Sequence, residues 1–534
     1  MPLSEQDLLH GLATASAYPH PVDAVEVVRT HISLVFLAGT RAYKVKRSLD
    51  LGFIDSTSAE RRRRLCEEEI RLNRRLAPEV YLGVVPIVRR PDGALRVDAD
   101  GEPLEWAVCM RRLPAAGMLD RLLDRGEVDH ARLDGLVDVL VRFHGLCATG
   151  PGVDEYGTPE AVRRKVLGNL DQLEAVDEEE SIGHLAAPLV EHLRRWTEAF
   201  IRPNEAMLRE RVVQGRIREG HGDLHAGNIC LVDEQWIVYD CIEFRKDFRC
   251  LDVAAELAFL AMDFAAHGFP AAGRHILLRY SAVAEDPALP DLYPLYAAHY
   301  AAVRAKVAAL QAETAMPDSD ERRAASRRFC RSLCLAVGQT LPPTVVVMCG
   351  LPGTGKSVAA RAVANALGAT VIQSDVVRKR LAGLAPSDRR GSAPGSELYG
   401  DAMSRRTLDE MQRLAKEALT QGRSVVLDAT HAARVWREAA AATARTAGIG
   451  AWLVWLDPPA ATVRPRLVAR EADSAEPSDA GVAVFEAART RFERPDEWPF
   501  DRLVVVADAP APERIAERLL VAVTSTGCRA SPEQ

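Results

Sequence analysis

The sequence predicts a multidomain chain of α+β and α/β class, with a bilobal α+β unit first and a parallel-sheet α/β unit last. Three observations carry that expectation. Between residues 22 and 110, short apolar runs alternate with turns, whereas from Leu119 to Phe200 apolar residues recur at helical spacing. This change of period marks a strand-rich lobe followed by a helical one. At Leu341-Pro342-Pro343-Thr344 the chain reaches a sharp boundary. Directly after it, the apolar run Val345 to Cys349 breaks into Gly350-Leu351-Pro352-Gly353-Thr354-Gly355-Lys356-Ser357, and a helix begins at Val358. The expected divisions are 1–310, a helical connector over 311–341, and 342–534.

Size agrees with several domains. At 534 residues the chain is long enough for about three or four units of ordinary size. Apolar residues make up 48% and charged ones 27%, which permits sizeable cores. The net charge of -7 excludes a uniformly basic nucleic-acid surface and leaves room only for a local basic cleft. Ten cysteines without a CxxC pair point to reduced thiols in the cytoplasm rather than a disulfide framework or a zinc site. Residues 1–20 lack the pattern of a signal peptide, and no apolar run of about 20 residues predicts a membrane span.

In chain order, strand-like segments over 22–37 precede a turn at Gly39-Thr40-Arg41 and a strand from Ala42 to Lys46. Period-two alternation puts Lys44 and Lys46 on one face. A helix from about Ser58 to Leu76 follows, and Glu69 falls inside its apolar stripe of Leu65, Leu72 and Leu76. A buried carboxylate needs a partner, and a strand lysine suits it. Lys44 is the first choice, with Lys46 as the competing lysine and Glu68 as the competing carboxylate. Residues 80–88, 95–98 and 106–110 supply further strands.

The next informative stretch is His221-Gly222-Asp223-Leu224-His225-Ala226-Gly227-Asn228, followed by Tyr239-Asp240-Cys241-Ile242-Glu243. Asp223 can accept a proton from a substrate hydroxyl or orient it. Asn228 can hold magnesium, and Asp240, at the end of an apolar strand, can bridge metal and phosphates. His221 is expected to order the loop, and Asp252 to cap the helix that starts at Val253. Tyr293, Tyr296, Tyr300, Arg304 and Lys306 lie on a later aromatic-basic helix, where an acceptor pocket and plain core packing fit equally.

On these motifs, residues 25–310 resemble the aminoglycoside phosphotransferase-like branch of the protein-kinase fold. The resemblance implies a bilobal kinase-like fold with Asp223 as catalytic base, Asn228 and Asp240 as metal ligands, and Lys44 with Glu69 as the phosphate-positioning pair. The pattern departs in one respect: residues 22–40 hold no Gly-rich loop.

In the last third, Gly350, Gly353 and Gly355 permit close backbone approach, and Thr354 lies among them. Lys356 reaches terminal phosphates, and Ser357 is placed for magnesium. Asp375 and Arg378, just past the apolar Thr370-Val371-Ile372, suit an acceptor-orienting carboxylate and a phosphate-binding cation. Asp428 ends the strand Val425-Val426-Leu427 as a magnesium or acceptor residue, with Thr430 and His431 as pocket or cap. Arg464, Arg466 and Arg470 supply a positive field for a lid. Residues 342–520 resemble small P-loop kinases, including polynucleotide-kinase-like enzymes.

The expected function is ATP-dependent and magnesium-dependent phosphate transfer to a hydroxyl-bearing small molecule in the cytoplasm. The alternatives are phosphorylation of an RNA or DNA 5'-hydroxyl by the last domain, or a nucleotide-controlled regulator with a non-catalytic first domain. Oligomeric state is not legible.

Overall fold

The computed structural model describes residues 3–50, 52, 54–177, 186–385, 398, 400–471 and 482–527. Contacts divide the chain into two units, Met1–Val162 with Pro203–Tyr293, and Arg163–Arg202 with Pro294–Gln534. This division differs from one drawn at 310 and 342. It falls inside the helices Pro159–Asp177, Ala186–Val213 and Leu289–Thr314, where no change of composition marks it.

The first unit is built on six antiparallel strands, β1 (Val25–Arg29), β2 (Ser33–Ala38), β3 (Arg41–Lys46), β4 (Tyr81–Arg89), β5 (Leu95–Val97) and β6 (Pro103–Arg111), in the order β1-β2-β3-β6-β4-β5. β3 is interior, with Lys44 opposite Val35 on one side and Val108 on the other. Strand alternation sends Tyr43 and Val45 to the face that packs with Leu34, Phe36, Ile87 and the N-terminal helix residues Leu8 and Leu12. Lys44 and Lys46 therefore point to the opposite face. The helix Ala59–Asn73, capped by Ser58 Oγ on the Arg61 amide, lies in this region and buries Cys66 and Ile70 with Tyr81 and Val108. It ends one turn before the Leu76 that its apolar stripe suggested.

Four short strands follow: β7 (Ile217–Glu219), β8 (Ile229–Val232), β9 (Gln235–Val238) and β10 (Cys250–Asp252). β8 and β9 form a hairpin whose two turn residues, Asp233 and Glu234, have φ of 49° and 61°, as a two-residue hairpin turn of this twist requires. β7 pairs with β10, and Asp252 at the end of β10 accepts from the Ala254 amide as the cap of the helix Val253–Ala266. Asp252 does more than cap. Arg211, almost fully buried, donates to both Asp252 and Asp286, its contacts with Asp286 being 2.7 and 2.9 Å.

The second unit holds five parallel strands, β11 (Val345–Cys349), β12 (Thr370–Gln373), β13 (Val425–Asp428), β14 (Ala451–Leu456) and β15 (Leu503–Val506), in the order β12-β13-β11-β14-β15. Every residue of β11 and β14 is buried, as expected of strands covered on both faces. Because the chain leaves β11 for one edge and later returns to β14 on its other side, the crevice at the carboxyl end of β11 is the natural ligand position. The helix Asp320–Gly338 packs so closely on Lys356–Leu367 that a Cβ on Gly338 would lie 1.7 Å from the Ala366 carbonyl oxygen. Among the described residues, no helix is long and apolar enough to cross a membrane.

Replacing Arg211 with Met strands buried Asp252 without its ion-pair partner and leaves Asp286 only Arg216 at 3.9 Å, and should destabilise the first unit by about 3–5 kcal/mol. A drop in the urea midpoint of that unit, followed by proteolysis between residues 203 and 293, is the expected readout. An unchanged midpoint would show that the carboxylates are neutralised some other way.

Candidate phosphate sites

The first unit gathers its charged residues around Glu69. Lys44 Nζ donates to Glu69 Oε1 at 2.9 Å and also to Asp240, while Lys46 Nζ donates to Glu69 Oε2 and to Glu243. The choice between Lys44 and Lys46 thus resolves as both, because one carboxylate has two oxygens and takes one lysine on each. Glu68, the competing acid, faces away and pairs with Arg71 at 2.7 Å and Arg249 at 2.8 Å. Glu243 is the residue that the motif reading missed. Two lysines buried beside one buried glutamate leave a positive charge unbalanced, and the acid three residues past Asp240 was the available clue.

Burial alone would pull the Lys44 ammonium down, but Asp240 and Glu69 outweigh it and hold its pKa well above the ordinary lysine value. Asp240 is the mirror case: burial raises its carboxyl, Lys44 lowers it further, and the net shift is downward. Burial wins at Glu243, whose pKa is raised despite Lys46. Asp240 also carries a left-handed backbone, with φ of 69°. Its amide donates to Tyr81 Oη at 3.1 Å and the next amide, Cys241, donates to Asn73 Oδ1 at 2.8 Å. Asn73 Nδ2 in turn donates to the Glu69 carbonyl at 2.9 Å, so one helix end fixes both the shared glutamate and the Asp240 turn.

The loop carrying Asp223 is anchored from below. Glu256 Oε1 accepts from the His221 and Gly222 amides, each at 2.6 Å, and Oε2 contacts His144 Nε2 at 2.7 Å. His221 Nε2 faces the Tyr239 carbonyl at 2.8 Å and Nδ1 faces the Asp223 amide at 3.2 Å. A carbonyl only accepts and an amide only donates, so the hydrogen sits on Nε2 and the ring is neutral. His221 thereby ties the Asp223 loop to the residue before Asp240. Asn228 Nδ2 donates to the Asp223 carbonyl at 3.0 Å, which fixes the amide with its oxygen as the end able to ligate a cation. Burial raises the Asp223 carboxyl, but His225 and His221 overcome it and the net shift is downward. A carboxylate of that kind orients a hydroxyl better than it takes its proton, which suits a phosphoryl transfer with a loose transition state.

In the second unit, the loop after β11 is shaped by its glycines. Gly350 has φ of 141° and a Cβ there would lie 2.4 Å from the Leu456 carbonyl oxygen; Gly353 has φ of 78° and a Cβ would meet Leu467 at 2.7 Å. Gly355 is the N-cap of the helix Lys356–Leu367 and offers no side chain to cap it. Thr354 Oγ1 and Lys356 Nζ both donate to the Leu351 carbonyl, at 2.8 and 2.7 Å, closing the loop on itself. Ser357 lies close enough to Asp428, the buried last residue of β13, to favour its carboxylate. Burial pushes the Asp428 carboxyl up against the pull of Ser357 and Lys356, and its Oδ1 is buried without a protein hydrogen-bond partner.

Asp375 and Arg378 stand on the helix Ser374–Leu381, directly past β12, and are bonded to each other at 2.6 Å. Asp375 is near enough to raise the Asp428 carboxyl, so these two acids share one neighbourhood. Arg466 lies over the loop, its guanidinium 3.9 Å from a Cβ placed on Gly355. Arg464 turns instead to Glu486 at 2.7 Å, and the Arg470 side chain lies outside the described residues. His431 is turned inward: at φ of 41° its Nδ1 contacts the Met348 carbonyl at 2.7 Å, and burial pulls its pKa to about 4. It supports the loop from beneath instead of lining a pocket. Arg437, which motif reading passed over, is fully buried and holds the His431 and Glu493 carbonyls, each at 2.9 Å.

Both sites fit a magnesium ion. Asp428 presents an orphaned carboxylate oxygen beside Ser357, and in the first unit three carboxylates, Glu69, Asp240 and Glu243, face only two ammoniums, Lys44 and Lys46. Among the described residues no three His, Cys, Asp or Glu side chains converge as a metal cage.

The chain is 33% identical over 416 residues to an uncharacterized protein of Mycobacterium tuberculosis, Rv2004c, covering 77% of this chain and 80% of that one. The chain belongs to the same family. A Mycobacterium bovis member, also uncharacterized, matches with the same figures. Residues 345–495 of this family member match the family described as AAA domain. Among solved structures, the chain is similar to a choline/ethanolamine kinase family protein from Mesorhizobium loti, at 16% identity and a TM-score of 0.36 over 59% of this chain and 88% of that one. It is also similar to a gluconokinase from Sinorhizobium meliloti, at 21% identity and a TM-score of 0.26 over 35% of this chain and 95% of that one.

The raised Asp428 pKa sets a direction for stability. A carboxyl with a folded pKa above its ordinary 3.8 favours the folded state while protonated, and that favour is lost as pH rises from 3.8 through the folded value. Asp428→Asn should therefore raise the stability of the second unit by about 1 kcal/mol at pH 7 without nucleotide. It should also remove the extra stability that MgATP gives wild type. Thermal unfolding at pH 5 and pH 7, with and without MgATP, checks both parts.

Proposed function

We propose that the protein is an ATP-dependent phosphotransferase with two phosphate sites, each acting on a hydroxyl-bearing small molecule. The domains that carry them are 1–310 and 342–534. The observation that carries the reading is the pairing of Lys44 with both Glu69 and Asp240, which brings a cation suited to position phosphate and a carboxylate suited to hold a metal together across 196 residues of sequence. The AAA-domain match over 345–495 supports a nucleotide site at the second position.

In the first site, Lys44 would bind the phosphates of ATP, with Glu69 keeping its ammonium aimed. Asp240 and Asn228 would hold magnesium, and Asp223 would orient the acceptor hydroxyl. In the second, the amides of the 350–357 loop and Lys356 would cradle the phosphates, Arg466 would cover them, and Ser357 and Asp428 would hold the metal. Asp375 would orient the acceptor hydroxyl there while Arg378 binds phosphate. When bound, magnesium supplies positive charge that offsets the negative charge of the phosphates. A cytoplasmic setting supplies both ATP and magnesium.

The test presents wild type, Asp223→Asn and Lys356→Ala with radiolabelled ATP and a fractionated cytoplasmic extract containing metabolites and short RNAs. Asp223→Asn should lower labelling of one small molecule by about 10²–10⁴-fold while Lys356→Ala leaves it intact. Lys356→Ala should abolish a second labelled product. A labelled RNA lost with Lys356→Ala would replace the small-molecule reading with 5'-hydroxyl phosphorylation. ATP loss without any labelled acceptor would replace it with a nucleotide-driven regulator.

A further inference from the structure

Two helices of the second unit bury polar groups that neither phosphate site uses. Asn169, on the helix Pro159–Asp177, is 6% exposed, and both its amide nitrogen and its amide oxygen are buried with no protein hydrogen-bond partner. His299, on the helix Leu289–Thr314, is 7% exposed, and its Nδ1 is likewise unpartnered. The helix that carries Asn169 also carries Lys165, whose charge acts on His299. Lys165, Asn169 and Gln172 recur at intervals of four and three along one face, and His299 and Lys306 lie two turns apart on the other helix. Lys306 Nζ joins the two faces by donating to Gln172 Oε1 at 2.8 Å.

We propose that Asn169, His299 and Lys306 form a binding site for a small molecule carrying both an oxyanion and a hydroxyl. Buried amides and imidazoles in folded proteins are satisfied almost without exception, so an Asn with both ends unmet and a His with one end unmet call for a partner. The charge sign follows from the lysines. Lys165 and Lys306 are the charges acting on His299, both opposing its protonation, and burial carries its pKa well down, so the ring is neutral. Burial lowers the Lys306 pKa, and an oxyanion beside it would favour its ammonium. The Asn169 amide nitrogen offers donors to an oxyanion, while its carbonyl oxygen can only accept and so takes a donor such as a hydroxyl on the ligand. A ligand ammonium would meet two lysines and is disfavoured. Phosphate esters and hydroxy acids share this chemistry. The site requires neither phosphate site to be active.

The test uses the full chain with saturating magnesium and AMPPNP, so that both nucleotide positions are filled, and follows thermal unfolding. Glycerol 3-phosphate and glycerate are the two probes, with sodium chloride at matched ionic strength as control. At about ten times its Kd, one or both should raise the midpoint by about 2–4 °C over the salt control. Which one does so separates a phosphate-bearing ligand from a carboxylate-bearing one. Asn169→Leu and Lys306→Met should each abolish the rise. Lys306 is only half-buried, so Lys306→Met preserves the test if Asn169→Leu fails to fold. No rise with either probe overturns the proposal, as does a rise that survives Lys306→Met.

Discussion

A single carboxylate organises the first unit. Glu69 is fully buried and accepts one lysine on each oxygen, and the two lysines reach on to Asp240 and Glu243. Burying that many charges is unfavourable unless every one has a partner. The fold meets this demand by making three chain segments interdependent: β3, the helix Ala59–Asn73 and the turn after β9. None of these can move without leaving a charge uncompensated in low dielectric. The arrangement gives up some stability relative to an apolar core and gains a fixed position for the two groups that would meet ATP.

The second unit solves a related problem with backbone in place of side chains. Its phosphate loop depends on glycines whose neighbours sit where a Cβ would be, and on the Leu351 carbonyl that tethers both Thr354 and Lys356. The charged partner, Asp428, arrives on the adjacent parallel strand, and the parallel register sets it level with Met348, just before the loop. In this unit the sheet does the positioning that Glu69 does in the first.

Much of this was legible in the sequence because it rests on local periodicity. Glu69 betrays itself by interrupting an apolar stripe, and the alternation in β3 puts Lys44 and Lys46 on the side facing it. The spacing of Asp223 and Asn228 and the strand before Asp240 carry the loop geometry in the same way. What was not legible depends on distant packing. Glu243 looks like any acid until Lys46 is seen to need it, and His431 reads as either pocket or cap until its ring is seen against the Met348 carbonyl of β11. Arg464 and Arg466 are two residues apart on one helix, yet one pairs with Glu486 and the other covers the loop, a distinction that only the neighbouring helix decides.

The tautomer of His221 has a consequence for how the loop behaves in a changing cell. With a carbonyl against one nitrogen and an amide N–H against the other, a second proton on the ring would set two N–H groups face to face. Burial opposes the same step. Geometry and burial thus both resist a second proton, and the histidine that holds the shape of the Asp223 loop takes one up less readily than an exposed imidazole.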